Sequence, residues 1–312
     1  MNRPAATVYV PTLTGGETLA ACLDSLLAQT VPVMVVVADN GTGDGCRDLL
    51  EARFPSVTRI ANGRNLGFGA ALNRAIRETG VGPVVLLNDD AVADRRFVEH
   101  LLSKSGPAQM VAAVMVRADD PEIIDSAGVI IDQTLMAFDY LSGESTDALA
   151  SAPSPLGPTG GGALYDRAMF EQVGGFDENI FLYYEDVDLA LRIRAAGGRC
   201  ELAPAARASH GYSQTLGARS AAKYRMTGWS RGYMLRRYGI DRHPGLMTGA
   251  LVRELAICAG QLVKDRTLAG LTGRIKGFRA VSKHDRRRIP SKAAESMSVL
   301  SALKLRRQRH SG

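Results

Sequence analysis

The first 120 residues alternate short apolar runs with segments of helical periodicity. The apolar runs predict strands at Thr7–Thr12, Val33–Asn40, Thr58–Ala61, Val84–Asn88 and Met110–Val116. The helical patterns between them cover Glu17–Ala28, Asp44–Arg53, Phe68–Thr79 and Arg95–Ser103. Strands that alternate with short helices are typical of βαβ units, which build a mostly parallel sheet covered on both faces. The pattern therefore predicts an α/β fold.

After Val116 the pattern changes. Residues 127–141 predict a hairpin, residues 142–158 a Ser/Ala/Pro-rich loop, and residues 159–165 a flexible, strand-like approach to the segment 174–197. Helices are predicted at 217–238 and 246–264. The latter is apolar but contains Arg253, Glu254 and Gln261, so it falls short of the roughly 20 apolar residues that span a bilayer. A packed domain helix and a helix on a membrane surface both stay open.

Composition and length narrow the class of protein. A chain of 312 residues can form one large α/β domain with an appendage, and 46% hydrophobic with 22% charged residues is typical of a soluble globular protein. The four cysteines show neither a CxxC pair nor zinc-ligand spacing, which indicates free thiols in a reducing compartment. The first residues lack the apolar stretch of a signal peptide. We therefore expect a cytoplasmic protein.

The net charge of +6 is distributed unevenly. From Gly273 onward there are twelve Lys/Arg and two Asp/Glu, a net charge of +10, which leaves −4 for residues 1–272. Such a basic tail suits an anionic membrane surface or nucleic acid. Phe278 is its only aromatic residue, so bases would find little to stack on, and the membrane surface is the better interpretation.

Polar residues stand where three of the predicted strands end. Pro11-Thr12, Asp39-Asn40 and Asn88–Asp90 all occupy such ends. Ligands of parallel sheets bind at the carboxyl ends of the strands, so we expect these residues to converge. One or two carboxylates can hold Mg²⁺ or Mn²⁺ when ligand phosphates and waters complete the shell. The same residue types also form ordinary turns, and at this point both interpretations stay open.

A second acidic cluster follows the aromatic run Phe181–Tyr184. Glu185, Asp186 and Asp188 occupy the first turn of a predicted helix. Asp186 is the candidate general base, since a positioned carboxylate can accept a proton from an attacking hydroxyl. The alternative is that the acids stabilise the helix dipole and that Asp188 pairs with Arg192. That alternative does not explain the aromatic run beside them.

Two further motifs have weaker implications. His210 follows a predicted short strand, Arg199–Ala203, and suits a metal or a phosphate, although a lone loop histidine is commonly incidental. Gly67 and Gly69 invite comparison with the dinucleotide fingerprint. Leu72 stands in place of its third glycine and the stretch follows the third strand, so a polar turn that starts a helix is the better interpretation.

Several motifs taken together are more specific than any one of them. In chain order they are Pro11-Thr12, Val37–Asp44, Asn65–Gly67 with Asn73, Leu87–Asp90, Gly161–Ala163 and Gly174–Asp188. This ordered set resembles the family 2 glycosyltransferases of GT-A fold, particularly their bacterial rhamnosyltransferase-like branch. The resemblance covers about residues 7–238 and does not include the basic tail.

The resemblance implies an architecture. It is a GT-A fold with a Rossmann-like, mostly parallel central sheet, flanking helices and a helical, basic C-terminal extension. The implied domains are a glycosyltransferase domain at 1–240, a helical extension at 241–282 and a basic tail at 283–312. Within the first, 1–116 is the nucleotide-sugar-binding half and 117–240 the acceptor and catalytic half.

The resemblance also implies residue roles. The catalytic base would be Asp186, and the metal ligands Asp90 and His210, with Asn88 in place of the first acid of the usual Asp-x-Asp motif. The residues implied for donor binding are Pro11, Thr12, Asp39, Asn65, Gly67, Asn88 and Asp89. Those implied for acceptor binding are Gly161, Gly162, Tyr183, Tyr184 and Glu185.

The implied reaction is an inverting transfer in one displacement, assisted by Mg²⁺ or Mn²⁺. The partners would be a nucleotide-sugar donor, with dTDP-rhamnose as the first candidate, and a glycan or polyprenyl-diphosphate-linked acceptor of cell-envelope polysaccharide synthesis. We expect a cytoplasmic enzyme that is peripheral on the inner face of the cytoplasmic membrane.

Two alternatives belong to other function classes. A sugar-phosphate nucleotidyltransferase has a similar sheet but needs a basic residue in a glycine-rich loop after its first strand. The corresponding segment here, Thr14–Glu17, has no Lys or Arg nearby. The other alternative is a non-catalytic protein that binds a membrane or nucleic acid through the basic tail.

Overall fold

A computed structural model describes residues 3–211, 219–282, 284–290 and 293–294. Strands β1–β11 are, in chain order, Ala6–Thr12, Val33–Asp39, Thr58–Ala61, Val84–Leu87, Ala91–Ala93, Met110–Arg117, Ile124–Ser126, Val129–Ile131, Ala137–Asp139, Gly162–Tyr165 and Cys200–His210. Helices α1–α9 are Glu17–Leu27, Gly45–Arg53, Phe68–Glu78, Phe97–Ser105, Arg167–Gln172, Glu185–Ala195, Ala221–Arg237, Pro244–Asp265 and Ala269–Ala280. Short 3-10 helices occupy Thr146–Ser151 and Ile240–Arg242.

The N-terminal part of the main sheet is parallel, as predicted. Its strands stand in the order β3-β2-β1-β4, and β1 pairs in register with β2 so that Thr12 lies opposite Asp39. The apolar side chains of β1 and β4 are completely buried. The five predicted strands and four predicted helices of this region are confirmed, with ends that differ by at most two residues. The α/β fold class is confirmed as well.

The rest of the main sheet is mixed in direction. Strand β10 is antiparallel to both of its neighbours, β4 and β6, while β11 is parallel to β6 and antiparallel to β5. The short strand β7 pairs with the C-terminal end of β6, on the edge of β6 that faces away from β11. The antiparallel pairings come from strands of three or four residues, which are too short for an apolar run to indicate their direction.

Strand β11 corrects the expectation for His210. The strand does not end at Ala203 but continues to His210, so the histidine lies at a strand end and not in a loop. Pro204, which lacks the ladder donor, lies within this strand. The structure accommodates it with a shift of register between Leu202 and Arg207, after which pairing with β6 resumes.

The elements after Val116 agree with the remaining predictions. Strands β8 and β9 form the hairpin expected at 127–141, and the loop at 142–158 contains only the short 3-10 helix. Helix α7 begins after Ser220, whose hydroxyl accepts a hydrogen bond from the Lys223 amide. Helix α8 begins at Pro244, a residue that suits the first turn because it needs no amide partner there.

The described residues form two compact units. The first comprises 3–129, 139–179 and 185–211, and its core lies between the main sheet and its flanking helices. The second comprises 130–138, 180–184 and the described residues from 219 onward. The predicted domain boundaries at 240 and 282 stay predictions, and most of the basic tail lies outside the described residues.

Glycines hold two helices of the second unit together. Gly228 and Gly232 on α7 lie against the backbone of α9, and Gly273 and Gly277 on α9 lie against the backbone of α7, so closely that side chains would not fit. A Cβ atom added to Gly277 would collide with the carbonyl group of Trp229. The packing of α7 against α9 therefore depends on the absence of side chains at these positions.

We predict that Gly277→Ala destabilises the second unit by at least about 2 kcal/mol, because an extra methyl group in a tight contact forces the backbones apart. Trp229 is the only tryptophan of the chain, so its fluorescence during denaturant unfolding reports on this unit. Gly260→Ala on α8 is the matched control, since no atom lies within 4 Å of its added Cβ. It should be neutral or stabilising by up to about 1 kcal/mol. Equal losses in both variants would contradict this packing.

Candidate active site

The predicted convergence of strand ends is confirmed. Pro11 and Thr12 end β1 opposite Ala38 and Asp39 of β2. The hydroxyl oxygen of Thr12 lies 2.5 Å from Oδ2 of Asp89, which follows β4. Residues 77 positions apart are thus in direct contact at one edge of the sheet.

Asp39 is buried and ion-paired. Its side chain is 2% exposed, and its Oδ2 atom accepts from Nη2 and Nε of Arg59 at 2.6 and 2.8 Å. Its Oδ1 atom accepts from the Gly41 amide at 3.0 Å. These bonds and the adjacent Cys46 thiol together occupy most of the roughly four acceptor positions of the carboxylate. Arg59 was not predicted, although its place on β3, the neighbour of β2, would have indicated it.

Asn40, which the sequence placed at a strand end, organises the loops beside Asp39, and this role was not predicted. Its Nδ2 atom donates to Oδ1 of Asn65 and to the Gly67 carbonyl, both at 3.0 Å. Its Oδ1 atom accepts from the Leu66 amide at 2.9 Å and from Nδ2 of Asn62 at 3.3 Å. The predicted donor residues Asn65 and Gly67 are therefore held by one buried amide.

Gly67 is a glycine for a conformational reason. Its φ angle is 89°, a conformation that residues with a side chain rarely adopt. Its amide donates to Oδ1 of Asn65 at 2.9 Å. Helix α3 starts at the next residue. This confirms the interpretation of the segment as a polar turn that starts a helix.

The three residues after β4, Asn88–Asp90, each contact a different neighbour. The amide of Asn88 donates to the Gly161 carbonyl at 3.2 Å. The carboxyl group of Asp89 lies against Thr12, and burial raises its pKa to about 6 despite that contact. Asp90 lies on the other side, 3.2 Å from Nε2 of His210.

His210 lies between two carboxylates. Its Nε2 atom is 3.2 Å from Oδ1 of Asp90, and its Nδ1 atom is 2.9 Å from Oδ2 of Asp125. Burial by itself lowers the histidine pKa, but hydrogen bonds and charge from the two acids outweigh it and raise the pKa to about 10. Asp125 was not predicted, because it lies in the three-residue strand β7 and no sequence signal marks it.

Three glycines, Gly160–Gly162, form a turn that contacts both the end of β4 and the start of α6. We call it the glycine turn. Gly162 pairs with Leu87 across the antiparallel ladder, and Gly161 accepts from Asn88. The amide of Gly160 donates to Oδ2 of Asp186 at 3.2 Å. The structure therefore brings together Asn88, Gly161, Gly162 and Asp186, which the sequence separates by about a hundred residues.

Two adjacent acids begin helix α6. Glu185 is 6% exposed, and its Oε2 atom is buried without a hydrogen-bond partner among the described residues. Asp186 is half-buried and accepts from the amides of Gly160 and Val187. Burial raises the pKa of both carboxyl groups above their usual ranges, and the charge of Asp186 raises the pKa of Glu185 further. Such a pair titrates as a unit.

Asp188, the third acid of this turn, has a structural function. It is fully buried and accepts from Nε of Arg192 at 2.8 Å, the predicted i,i+4 pair. Arg192 also donates to the Val173 carbonyl at 2.7 Å. Both features confirm the structural interpretation of Asp188.

Tyr183 and Tyr184 belong to the second unit and have unusual backbones. Their φ angles are 68° and 73°, a left-handed conformation that costs non-glycine residues roughly 1–3 kcal/mol. The Tyr184 hydroxyl accepts from the Ala137 amide at 3.3 Å, and the Lys223 ammonium lies 5.9 Å from the centre of the Tyr183 ring. These contacts hold both rings in place, while contact with an acceptor stays a prediction.

Metal-binding residues are few in this site. Within residues 3–211 and the later described segments, no group of three or more His, Cys, Asp or Glu side chains forms a metal cluster. The predicted ligands Asp90 and His210 do lie side by side. Two protein ligands are usual for Mg²⁺ that also binds ligand phosphates.

We predict that Asn40→Ala destabilises the first unit by about 2–4 kcal/mol, because four hydrogen bonds are lost and buried partners are left unsatisfied. Thermal unfolding followed by circular dichroism measures this loss. Asn62→Ala is the control, since it removes one bond to Asn40 and one to Arg74, both long at 3.3 Å, and should cost about 1 kcal/mol. Similar costs for both variants would show that Asn40 does not organise these loops.

Comparison with known proteins places the chain in a family. A profile described as Glycosyltransferase like family 2 matches residues 4–232. The N-acetylglucosaminyl-diphospho-decaprenol L-rhamnosyltransferase of Mycobacterium tuberculosis (strain CDC 1551 / Oshkosh) is 30% identical over 264 residues, 76% of this chain and 85% of that protein. A succinoglycan biosynthesis protein of Rhizobium meliloti (strain 1021) is 27% identical over 64% of this chain and 61% of its own length. The solved structure of GalNAc-T7 with UDP, GalNAc and Mn²⁺ shares the fold, with a TM-score of 0.57 and 15% identity over 73% of this chain and 47% of that one. The structure has the GT-A fold, and the chain belongs to glycosyltransferase family 2.

Proposed function

We propose that this glycosyltransferase transfers L-rhamnose from dTDP-rhamnose to a hydroxyl group of a polyprenyl-diphosphate-linked glycan, with inversion at the sugar. The similarity to the mycobacterial L-rhamnosyltransferase, whose name includes a diphospho-decaprenol acceptor, supports both the sugar and the class of acceptor. The product would enter a cell-envelope polysaccharide.

The glycine turn is the observation that supports this chemistry best. It contacts Asn88 at the end of β4 on one side and Asp186 at the start of α6 on the other. A donor phosphate at the strand ends and a base at the helix start would then be held on one rigid connection. Positioning of this kind turns an encounter between two substrates into a nearly unimolecular step.

Asp186 is the proposed base. The amides of Gly160 and Val187 orient its carboxylate. Asp186 takes the proton of the acceptor hydroxyl while the hydroxyl oxygen bonds to the anomeric carbon, and the bond from that carbon to the donor diphosphate breaks on the opposite side. The raised pKa of Asp186 makes it a stronger proton acceptor than an exposed aspartate.

The donor nucleotide is assigned to the ends of β1, β2 and β4. Asp39, which Arg59 and the Gly41 amide hold in place, is the carboxylate proposed to accept from a nucleobase imide or a ribose hydroxyl. Pro11 and Thr12 would form the wall beside it. The remaining residues proposed for donor binding are Asn65, Gly67, Asn88 and Asp89.

We assign a divalent cation, Mg²⁺ or Mn²⁺, to Asp90 and His210. Asp90 presents a buried carboxylate oxygen that already faces the positive imidazole ring. A cation bound there would neutralise charge on the departing diphosphate. His210 must lose its proton to act as a ligand, so cation binding would release a proton.

The acceptor is assigned to Gly161 and Gly162 of the glycine turn and to residues 183–185, where α6 begins. Gly162 packs so closely against Met115 that no side chain would fit there, and the Oε2 atom of Glu185 is buried without a hydrogen-bond partner among the described residues. The rings of Tyr183 and Tyr184 offer flat apolar faces of the kind on which sugars stack. These assignments rest on the family resemblance together with these features.

We predict that Asp186→Asn lowers kcat at least roughly 10³-fold, since amides cannot accept the proton and general-base catalysis contributes about 10²–10⁴. Binding of dTDP-rhamnose, measured by calorimetry, should change less than about twofold, a difference of under 0.5 kcal/mol. Asp119→Asn makes the same chemical change at an exposed position and should leave both quantities unaltered. Transfer that survives in Asp186→Asn would rule out this residue as the base.

We predict that activity rises with pH well above the ordinary aspartate range. A base must be ionised, and burial raises the pKa of Asp186, so the protonated and inactive form persists to higher pH. The measurement is kcat at saturating donor from acid to neutral pH, with Trp229 fluorescence as the control for unfolding. An acidic limb near pH 4, where exposed aspartates titrate at about 3.9, would contradict the buried environment.

A further inference from the structure

Helix α8 exposes its apolar side chains. Between residues 251 and 263 the exposed positions all lie on one side of the helix, which we call the outer face: Leu251, Val252, Leu255, Ala256, Ala259, Leu262 and Val263. None of them is polar. Leu255 is 60% and Val263 80% exposed. Contiguous exposed apolar surface of this kind marks an interaction site.

The charged residues in the middle of the same helix, Arg253 and Glu254, point inward. Arg253 forms a buried ion pair with Asp132, and Glu254 accepts from Nε of Arg231 at 2.6 Å and from Nε of Arg274 at 2.5 Å. Burial alone would raise the pKa of Glu254, but the two guanidinium groups outweigh it and hold the pKa at about 2. These ion pairs fix the rotation of the helix, because turning it over would separate buried charges.

The exposed charged residues that precede and follow the outer face along the chain are all basic, and we call them its cationic border. The exposed Lys and Arg side chains between residues 242 and 280 are Arg242, Lys264, Arg266, Lys276 and Arg279. The only two acids in this stretch are not exposed: Glu254 is buried, and Asp265 is bonded to Arg219 and to the Tyr224 hydroxyl. An apolar face with a cationic border is typical of helices that lie in the interface of anionic membranes.

We propose that the outer face of α8 docks on an anionic lipid surface, with the helix parallel to the membrane plane. By length and composition α8 is the one helix of the described residues that could span a bilayer, with 22 residues and a mean hydropathy of 1.4. The ion pairs of Arg253 and Glu254 hold it within its unit instead, so it contributes one face. This docking does not depend on which sugar is transferred.

Charge also argues against a second copy of the chain as the occupant. A twofold contact places the same patch on both partners, so the cationic borders would meet each other and repel. Anionic lipid headgroups instead attract Lys and Arg by about 1 kcal/mol per residue near the surface. Acyl chains would at the same time take up the exposed leucine and valine side chains.

The test is co-sedimentation of the full chain, without donor, with vesicles of phosphatidylglycerol and phosphatidylcholine in equal parts or of phosphatidylcholine alone. Binding should require phosphatidylglycerol and weaken in about 1 M NaCl, where screening acts within roughly 3 Å. The double variant Leu255→Gln, Val263→Gln should bind at least roughly tenfold more weakly, because each buried aliphatic side chain contributes about that much. The matched control, Leu27→Gln with Val92→Gln, changes exposed apolar residues of the first unit and should bind like the wild type.

Further arms separate the alternatives. A triple variant, Lys304→Gln with Arg306→Gln and Arg307→Gln, removes charge from the basic tail at positions outside the described residues. The proposal would be overturned if this triple variant lost vesicle binding while the α8 double variant kept it. Light scattering without lipid addresses a second copy. A dimer that Leu255→Gln, Val263→Gln dissociates would assign the outer face to that contact. Trp229 fluorescence verifies that each variant is folded.

Discussion

Parallel pairing of β1 with β2 and β4 is the constraint on which the site depends. It brings three strand ends to one edge of the sheet, where Thr12 lies opposite Asp39 and contacts Asp89. Acids gathered in this way lose part of their hydration. The structure compensates each one separately, with an arginine at Asp39 and a histidine at Asp90. The result is an edge prepared for cationic and hydrogen-bonding parts of a ligand.

The antiparallel strand β10 adds what a parallel sheet lacks. It lies next to β4, and the glycine turn before it contacts the first turn of α6. A second acidic site, Glu185 with Asp186, is thereby fixed relative to the strand ends. Burial raises the pKa of both carboxyl groups of this pair, whereas the fully buried Asp188 is held by its bond to Arg192. Three acids in one helical turn therefore have different properties because their partners differ.

Much of the fold and part of the site could be predicted from the sequence. Apolar runs that stop at Thr12, Asp39 and Asn88 showed where the strands end, and parallel pairing implied that these ends meet. Pairings between distant segments left no such signal, so the contact of His210 with Asp125 was missed. The arrangement of α8, with apolar side chains exposed and charged side chains buried, was missed for a similar reason. The composition of α8 is visible in the sequence. Which side of the helix faces inward depends on the charged partners of Arg253 and Glu254, and these lie on other elements.

The most direct test of the central claim is nucleoside diphosphate release by the purified chain. The donors would be dTDP-rhamnose and a panel of UDP-sugars, each with a polyprenyl-diphosphate-linked glycan acceptor and with Mg²⁺, Mn²⁺ or EDTA. Our proposal predicts acceptor-dependent release from dTDP-rhamnose that EDTA suppresses. Release from a UDP-sugar instead would correct the donor. No release from any donor, and no donor-induced thermal shift, would contradict the assignment of this sheet edge to a nucleotide sugar.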